Sequence, residues 1–409
     1  MPTVVLVGTL DTKGEEYAWL RGQVAELDCD VVVVDAGVDE PAGLRPDVPN
    51  AQVAEVGGAD VEELRRGRDR GAAVTAMGEG AAQILADLYA RGRVDGVLAL
   101  GGSGGSSIAA RAVRDLPIGL PKLIVSTMAS GDVSPYVGAK DVAISYSVVD
   151  IAGINRLSRK ILGNAAAAVA GMAHAYATRP EAESGDRPLV AASMFGVTTP
   201  AVDAARARLE ALGYETLVFH ATGAGGRAME GLVESGLLAG VLDLTTTELA
   251  DDLVGGVLSA GPDRLTAAAR HGVPQVVAPG ALDMVNFGPK ETVPAKFADR
   301  NLYVHNPTVT LMRTKPMEMA ALGQRLGAKV RKSTGPAAVF IPKRGVSALD
   351  ADGQPFTDED ADRLCFAEIR SAVAYSSVEL VDLDLHINDA PFGEAMADRL
   401  HAMIEGAQA

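Results

Sequence analysis

Nine short β-branched or aliphatic runs recur along the chain with amphipathic helical stretches between them, and this alternation narrows the possible folds more than any other feature. The runs are TVVLVG, DVVVVD, DGVLALG, KLIVS, PLVAASMFG, ETLVFH, AGVLDL, PQVVAPG and AAVFIP. Strands separated by helices imply an α/β fold with mainly parallel sheets and helices on both faces. A chain of 409 residues is too long for one ordinary core. The segment TRPEAESGDRP, Thr178 to Pro188, has two prolines, a glycine and mixed charge without periodicity, and reads as a linker. Two Rossmann-like domains are therefore expected, over residues 1–179 and 188–409.

The halves resemble each other in spacing. Tyr17, Leu20, Val24 and Leu27 sit at i, i+3, i+7 and i+10, and Val202, Ala205, Leu209 and Leu212 repeat that pattern 185 positions later. Both sets read as core-facing helix stripes. The same offset pairs Asp35 with His220 at the ends of the next strands. Further on, GVLAL at Gly96 matches GVLDL at Gly240 at an offset of only 144, so the first half carries an insertion of about 40 residues between its second and third strands. The two domains read as a diverged pseudo-repeat.

Charge limits the partners. Thirty-seven Lys and Arg face 53 Asp and Glu, a net charge of −16 that would repel a nucleic-acid backbone. The densest basic run, LRRGRDR from Leu64 to Arg70, follows acids, lacks aromatics and reads as a solvated face. Only Cys29 and Cys365 occur, which argues against a disulfide framework or a cysteine zinc site and points to the cytoplasm. The N-terminal apolar run is too short for a signal peptide or a membrane span, so no membrane partner is expected.

The strongest chemical signal is GVLALGGSGGSSIAARAV, in which an apolar strand leads through Gly101, Gly102, Ser103, Gly104, Gly105, Ser106 and Ser107 into a helix. Glycines admit an anion close to backbone N–H groups, hydroxyls add donors, and the helix start contributes partial positive charge. A second strand-to-helix loop, VVLVGTLDTKGEE, offers Gly8, Thr9, Thr12 and Lys13 to phosphate oxygens and Asp11 to a magnesium ion. It is not a Walker loop. Asp35, ending the next strand, stands where nucleotide-binding α/β folds place a ribose-binding acid.

In the second half, HATGAGGRAME sets His220, Thr222, Gly223, Gly225 and Gly226 before a helix as another possible anion site. Polar residues expected on loops follow: Asp283 and Asn286, then His305, Asn306 and Arg313, then His386, Asn388 and Asp389. His220, Asp283, His305 and Asp389 are the candidate acid/base residues. No GxSxG, HExxH or paired CxxC motif occurs.

The motifs GTLDTKGEE, GGSGGSS, STMASGDVSPYVG, GVLDLTTTELADDLVGG, PGALDMVNFG, HNPTVTLMRT and GVSALDADGQPF, in this order, resemble one largely uncharacterised family. That family includes the ATP-binding N-terminal domain of the tomato mosaic virus resistance protein. The resemblance runs from Val4 to about Phe392. It implies two Rossmann-like domains, a homodimer and nucleotide binding by the first domain, with ATP and Mg2+ as expected cofactors. It does not extend to the further C-terminal barrel domain of the plant protein. Three function classes follow. One is a metabolic enzyme that uses ATP on a small polar substrate in an interdomain cleft. The others are a nucleotide-responsive binding protein without turnover and a small-molecule lyase or hydrolase that does not use ATP.

Overall fold

A computed structural model describes residues 1–179 and 186–408. The chain forms two compact units that divide between residues 183 and 184. Most of the expected linker, residues 180–185, lies outside the described residues.

The first unit begins with β1 (Thr3–Gly8), α1 (Leu10–Ala25) and β2 (Asp30–Asp35). Three helices follow: α2 (Asn50–Val56), α3 (Val61–Gly67) and α4 (Arg70–Ala90). Then come β3 (Gly96–Gly101), α5 (Ser103–Val113), β4 (Lys122–Ser126), the short α6 (Ser134–Val137), β5 (Ala143–Tyr146) and α7 (Arg156–Ala177). The five strands form one parallel sheet in the order β2-β1-β3-β4-β5. Alternation along β1 explains the two layers around it: Val4 and Leu6 pack with α1 and α7, and Val5 and Val7 with α2, α4 and α5. Tyr17, Leu20 and Val24 fill the core as expected, but Leu27 lies beyond the end of α1 and is exposed.

Strand order reverses between β1 and β3. The chain leaves β1 toward β2 on one side and leaves β3 toward β4 on the other, so a crevice opens between the loops after β1 and β3. Two buried groups fix this edge. The Tyr17 hydroxyl donates to the Val7 carbonyl (2.6 Å) and accepts from the Leu100 N–H (2.9 Å), joining α1 to β1 and β3. A Cβ on Gly8 would sit 1.9 Å from that hydroxyl, so this glycine serves packing. Asp35 accepts the N–H of Leu10 (3.1 Å) and of Gly37 (2.9 Å) through Oδ1, while its buried Oδ2 has no partner. Burial, with the charges of Asp11 and Glu40 adding, pushes this carboxyl up to about 6.

The second unit opens with β6 (Leu189–Met194), α8 (Thr199–Ala211), β7 (Glu215–His220), α9 (Ala224–Glu234) and β8 (Leu238–Thr245). It continues through α10 (Glu248–Val254), α11 (Ala267–His271) and β9 (Gln275–Gly280). The strands β10 (Met284–Phe287), β11 (Leu302–Asn306) and β12 (Val309–Arg313) come next, then α12 (Pro316–Val330), β13 (Ala337–Pro342), α13 (Glu359–Val373), β14 (Glu379–Leu383) and α14 (Ala390–Gln408). Six strands make a parallel sheet in the order β14-β13-β9-β8-β6-β7, with the same reversal between β6 and β8. Both units are thus parallel sheets flanked by helices, in the Rossmann manner. A single helix, α9, joins β7 to β8 where α2, α3 and α4 join β2 to β3. The inserted residues of the first unit are therefore these extra helices.

One expectation needs correction. Asn286, His305, Asn306 and Arg313 are not on loops: they lie on an antiparallel three-stranded sheet ordered β10-β12-β11. Its strands are four or five residues long and are broken by Asn286, His305, Asn306, Thr310 and Arg313, so they lack the longer apolar signal of the parallel strands.

The reversal point of the second unit is filled. The Arg264 guanidinium, fully buried, bonds Asp243 through two nitrogens, Glu248 at 2.6 Å and Glu230 at 3.3 Å. Ser193 adds a hydroxyl to Asp243 at 2.6 Å. Cys29 and Cys365 are both free and buried. Among the described residues no helix is long and apolar enough to cross a membrane.

Two stability predictions follow from these buried groups. Because the folded state binds the Asp35 proton more tightly than the unfolded chain, its contribution falls as pH rises from about 4 to about 6. Asp35→Asn, which keeps an acceptor for Leu10 and Gly37, should melt a few degrees above wild type at pH 7 and lose that advantage by pH 4; an equal difference at both pH values contradicts the assignment. Arg264→Leu leaves three carboxylates facing one another and should cost about 3–5 kcal/mol in denaturant titration. A cost under about 1 kcal/mol would show that the network bears little load.

Candidate functional site

The loops after β1 and β3 meet over the strand reversal of the first unit and line a cleft of about 840 Å3. Thr9, Asp11, Thr12 and Lys13 line one side, and Gly101, Gly102, Gly104 and Gly105 the floor. Helix α5 begins at Ser103 with no side-chain cap, leaving its first-turn N–H groups for another acceptor. Loop-to-helix geometry here matches the sequence: β3 ends at Gly101 and α5 starts two residues on. Close approach explains one glycine directly, since a Cβ on Gly101 would come within 2.8 Å of the Gly105 Cα.

The side chains divide by role. Thr9 and Thr12 hydroxyls bond each other at 2.8 Å. Lys13 breaks the helical geometry of α1 and its ammonium donates to the Ile151 carbonyl. Asp11 turns Oδ2 toward the N–H groups of Val38 (3.0 Å) and Asp39 (3.1 Å), pinning the segment after β2, while Oδ1 is buried and unpartnered. Ser106 is buried, its hydroxyl 2.7 Å from that of Ser126 and 3.4 Å from the Gly101 carbonyl, so it supports the loop from beneath. Ser103 is exposed, and Ser107 returns its hydroxyl to the Ser103 carbonyl at 2.9 Å. Neither serine nor Ser106 lines the cleft, and Gly8 and Asp35 do not either.

The far wall comes from the inserted helices. Leu64, Arg65, Arg68, Asp69, Arg70, Ala73, Val74 and Met77 face the glycine loop. The basic run read as a solvated face is thus a wall of the cleft. Sequence charge alone does not distinguish the two; the clue was that the run sits inside the insertion. Arg65 is committed, bonding the Val38 carbonyl at 3.1 Å and pairing with Asp39, Glu40 and Glu62. Arg111 holds α4 against α5 by a bidentate pair with Glu79, both bonds 2.7 Å. Asp150, also missed from sequence, lines the cleft beside Lys13.

The acid/base candidates of the second unit come from separate elements. His220, exposed at the end of β7, packs against Phe195 with ring centroids 5.3 Å apart. His305 is exposed on β11 near Tyr303. Asp283 is buried, bonded by the Ser347 hydroxyl at 2.8 Å, and raised by burial and by Asp350. Asp389 accepts the His386 N–H at 2.9 Å, and His386 Nε2 meets the Ser347 carbonyl at 2.9 Å. Asp283 and Asp389 are thus linked through Ser347 and His386.

The HATGAGGR loop, expected as an anion site, already holds one. Glu248 Oε1 accepts the N–H groups of Gly223 (2.6 Å) and Gly226 (3.0 Å), so an internal carboxylate occupies the cradle. Among the described residues no group of three or more His, Cys, Asp or Glu side chains is arranged to hold a metal ion.

Comparison with known proteins places this geometry in a family. Residues 2–178 match the N-terminal domain, and residues 187–404 the C-terminal domain, of an uncharacterised protein family designated UPF0261. A UPF0261 protein of Clostridium tetani is 51% identical across 98% of this chain and 99% of its own length. One from Rhizobium meliloti is 49% identical across 97% of each chain. The ToMV resistance protein Tm-1 of Solanum lycopersicum is 40% identical across 97% of this chain, which spans 55% of that protein. Among solved structures, the glycosyltransferase VinC in complex with dTDP aligns over 98% of this chain and 95% of its own at 11% identity and a TM-score of 0.20, too slight a likeness to bear on function. With both halves matched and relatives this similar over their length, the chain belongs to the UPF0261 family.

Proposed function

We propose that the first unit binds a nucleotide, ATP with magnesium, in the cleft between the two strand-end loops. The observation that carries this reading is the convergence of both loops, several cations and an apolar strip on one cavity at the strand reversal. Ligands of open α/β sheets bind in such crevices. The glycine loop and Lys13 suit phosphates, and Val38, Leu64, Val74, Met77 and Ile108 offer an apolar side for a flat base. About 840 Å3 accommodates a ligand of this size.

Magnesium fits here only as an ion that arrives with phosphate oxygens. Asp11 is the protein oxygen best placed to join it, because Oδ1 is unpartnered while Oδ2 is spent. The ion would offset phosphate charge. In this reading the bound nucleotide serves a reaction on a small polar substrate, with positioning and charge neutralisation as the protein's contribution. A second reading, nucleotide-responsive binding without turnover, is favoured by one observation: none of His220, Asp283, His305 and Asp389 lines the first-unit cleft.

Calorimetric titration with ATP, ADP, NAD and coenzyme A, with and without magnesium, tests the site. Saturable ATP binding is expected, weakened about tenfold in Lys13→Ala and at least tenfold in Gly104→Val. No binding of any of the four to wild type overturns the reading. His220→Ala and His305→Ala should leave ATP affinity within about twofold of wild type, and loss of binding in either would move the site. Released phosphate from ATP supports the enzyme reading; stable binding without release, across a screen of small carboxylated and hydroxylated substrates, supports the second.

A further inference from the structure

The two arginines at the end of the basic run have no countercharge. Arg68 and Arg70 line the cleft, both are exposed, and neither makes an ion pair among the described residues. The cleft acids are engaged elsewhere. Asp39 pairs with Arg65, Asp69 caps α4 by accepting the Ala72 N–H at 3.0 Å, Asp11 bonds Val38 and Asp39, and Asp150 accepts the Ile151 N–H at 2.8 Å.

At the start of α4 the capping carboxylate of Asp69 is spent on the Ala72 N–H, and Arg70 follows it without an ion pair among the described residues. It is the first residue of α4, where a cation opposes the helix dipole. Its guanidinium also lies over the start of α5: a Cβ on Gly104 would be 3.2 Å from Nη2. Arg68 holds a left-handed backbone (φ 50°) between α3 and α4 that brings it to the same wall. These two cations face the glycine loop across the space where that loop would hold phosphate.

We infer that Arg68 and Arg70 clasp the distal phosphates of a polyphosphate ligand, so that the inserted helices select nucleoside triphosphates over monophosphates. This rests on the nucleotide reading of the cleft and adds to it a means of discrimination. Guanidinium forks bond phosphate oxygens in pairs, and a monophosphate seated on the glycine loop offers them none beyond the first.

The test is calorimetric titration of the full chain with ATP and with AMP, at low and at moderate salt, for wild type, Arg68→Ala/Arg70→Ala and Arg70→Lys. The double variant should lose about 10- to 100-fold in ATP affinity and keep AMP affinity within about twofold, collapsing the preference. Its ATP affinity should also depend less on salt, and Arg70→Lys should fall between the two. Unchanged melting temperature, expected for exposed side chains, separates this from unfolding. An unchanged ATP-to-AMP ratio in the double variant, or equal losses for both ligands, overturns the inference while leaving the site assignment intact. Wild type that binds neither nucleotide overturns the nucleotide reading and this inference with it.

Discussion

Everything proposed about this chain depends on the reversal of strand order between β1 and β3. Parallel connections leaving in opposite directions open a crevice that neither loop can close. The second unit has the same reversal between β6 and β8, yet there the protein supplies its own occupants. Arg264 sits against Asp243, Glu230 and Glu248, and Glu248 in turn fills the backbone cradle of Gly223 and Gly226. One fold element therefore appears twice, once open and once satisfied internally. A buried carboxylate that accepts two backbone N–H groups and a guanidinium needs no ligand, whereas the uncapped start of α5 faces arginines across an open cleft.

The open crevice is shaped by what was added to it. Helices α2, α3 and α4 lengthen the connection after β2, and Arg111 fastens α4 to α5 through Glu79. They place cations over the glycine loop of a chain whose net charge is −16. The local arrangement is therefore cationic within an anionic global field. Asp35 and Tyr17 work below the surface: one ties the start of α1 to the end of β2, the other ties α1 to β1 and β3, so the loops stand on fixed ends.

Much of the fold was legible in the residues, and for a physical reason. Strands buried on both faces must be apolar throughout, so β1, β2, β3, β4 and the core strands of the second unit stand out as continuous runs. The offset between GVLAL and GVLDL located the insertion because βα spacing is conserved wherever the layers are. The strands β5 and β11 were missed because they are half-exposed, and the buried β10 and β12 because they are short and broken by Asn286, Thr310 and Arg313. In the site, the glycines and Lys13 were readable from composition, but the roles of Asp35 and Ser106 were not. Whether a carboxylate or hydroxyl points into a cleft or into its own backbone depends on side-chain direction. Glu248 as the occupant of a glycine loop 22 residues away is a tertiary fact with no sequence signature.

The central claim, one open and one filled crevice, is tested most directly by hydrogen–deuterium exchange with and without ATP and magnesium. The account predicts that amides of residues 103–105 exchange fast in the free protein and become protected with ligand, together with the backbone around residues 9–13 and 64–74. The amides of Gly223 and Gly226 should be slow in both states, since Glu248 already holds them. Ligand protection confined to residues 220–228, with residues 103–105 unaffected, would contradict it.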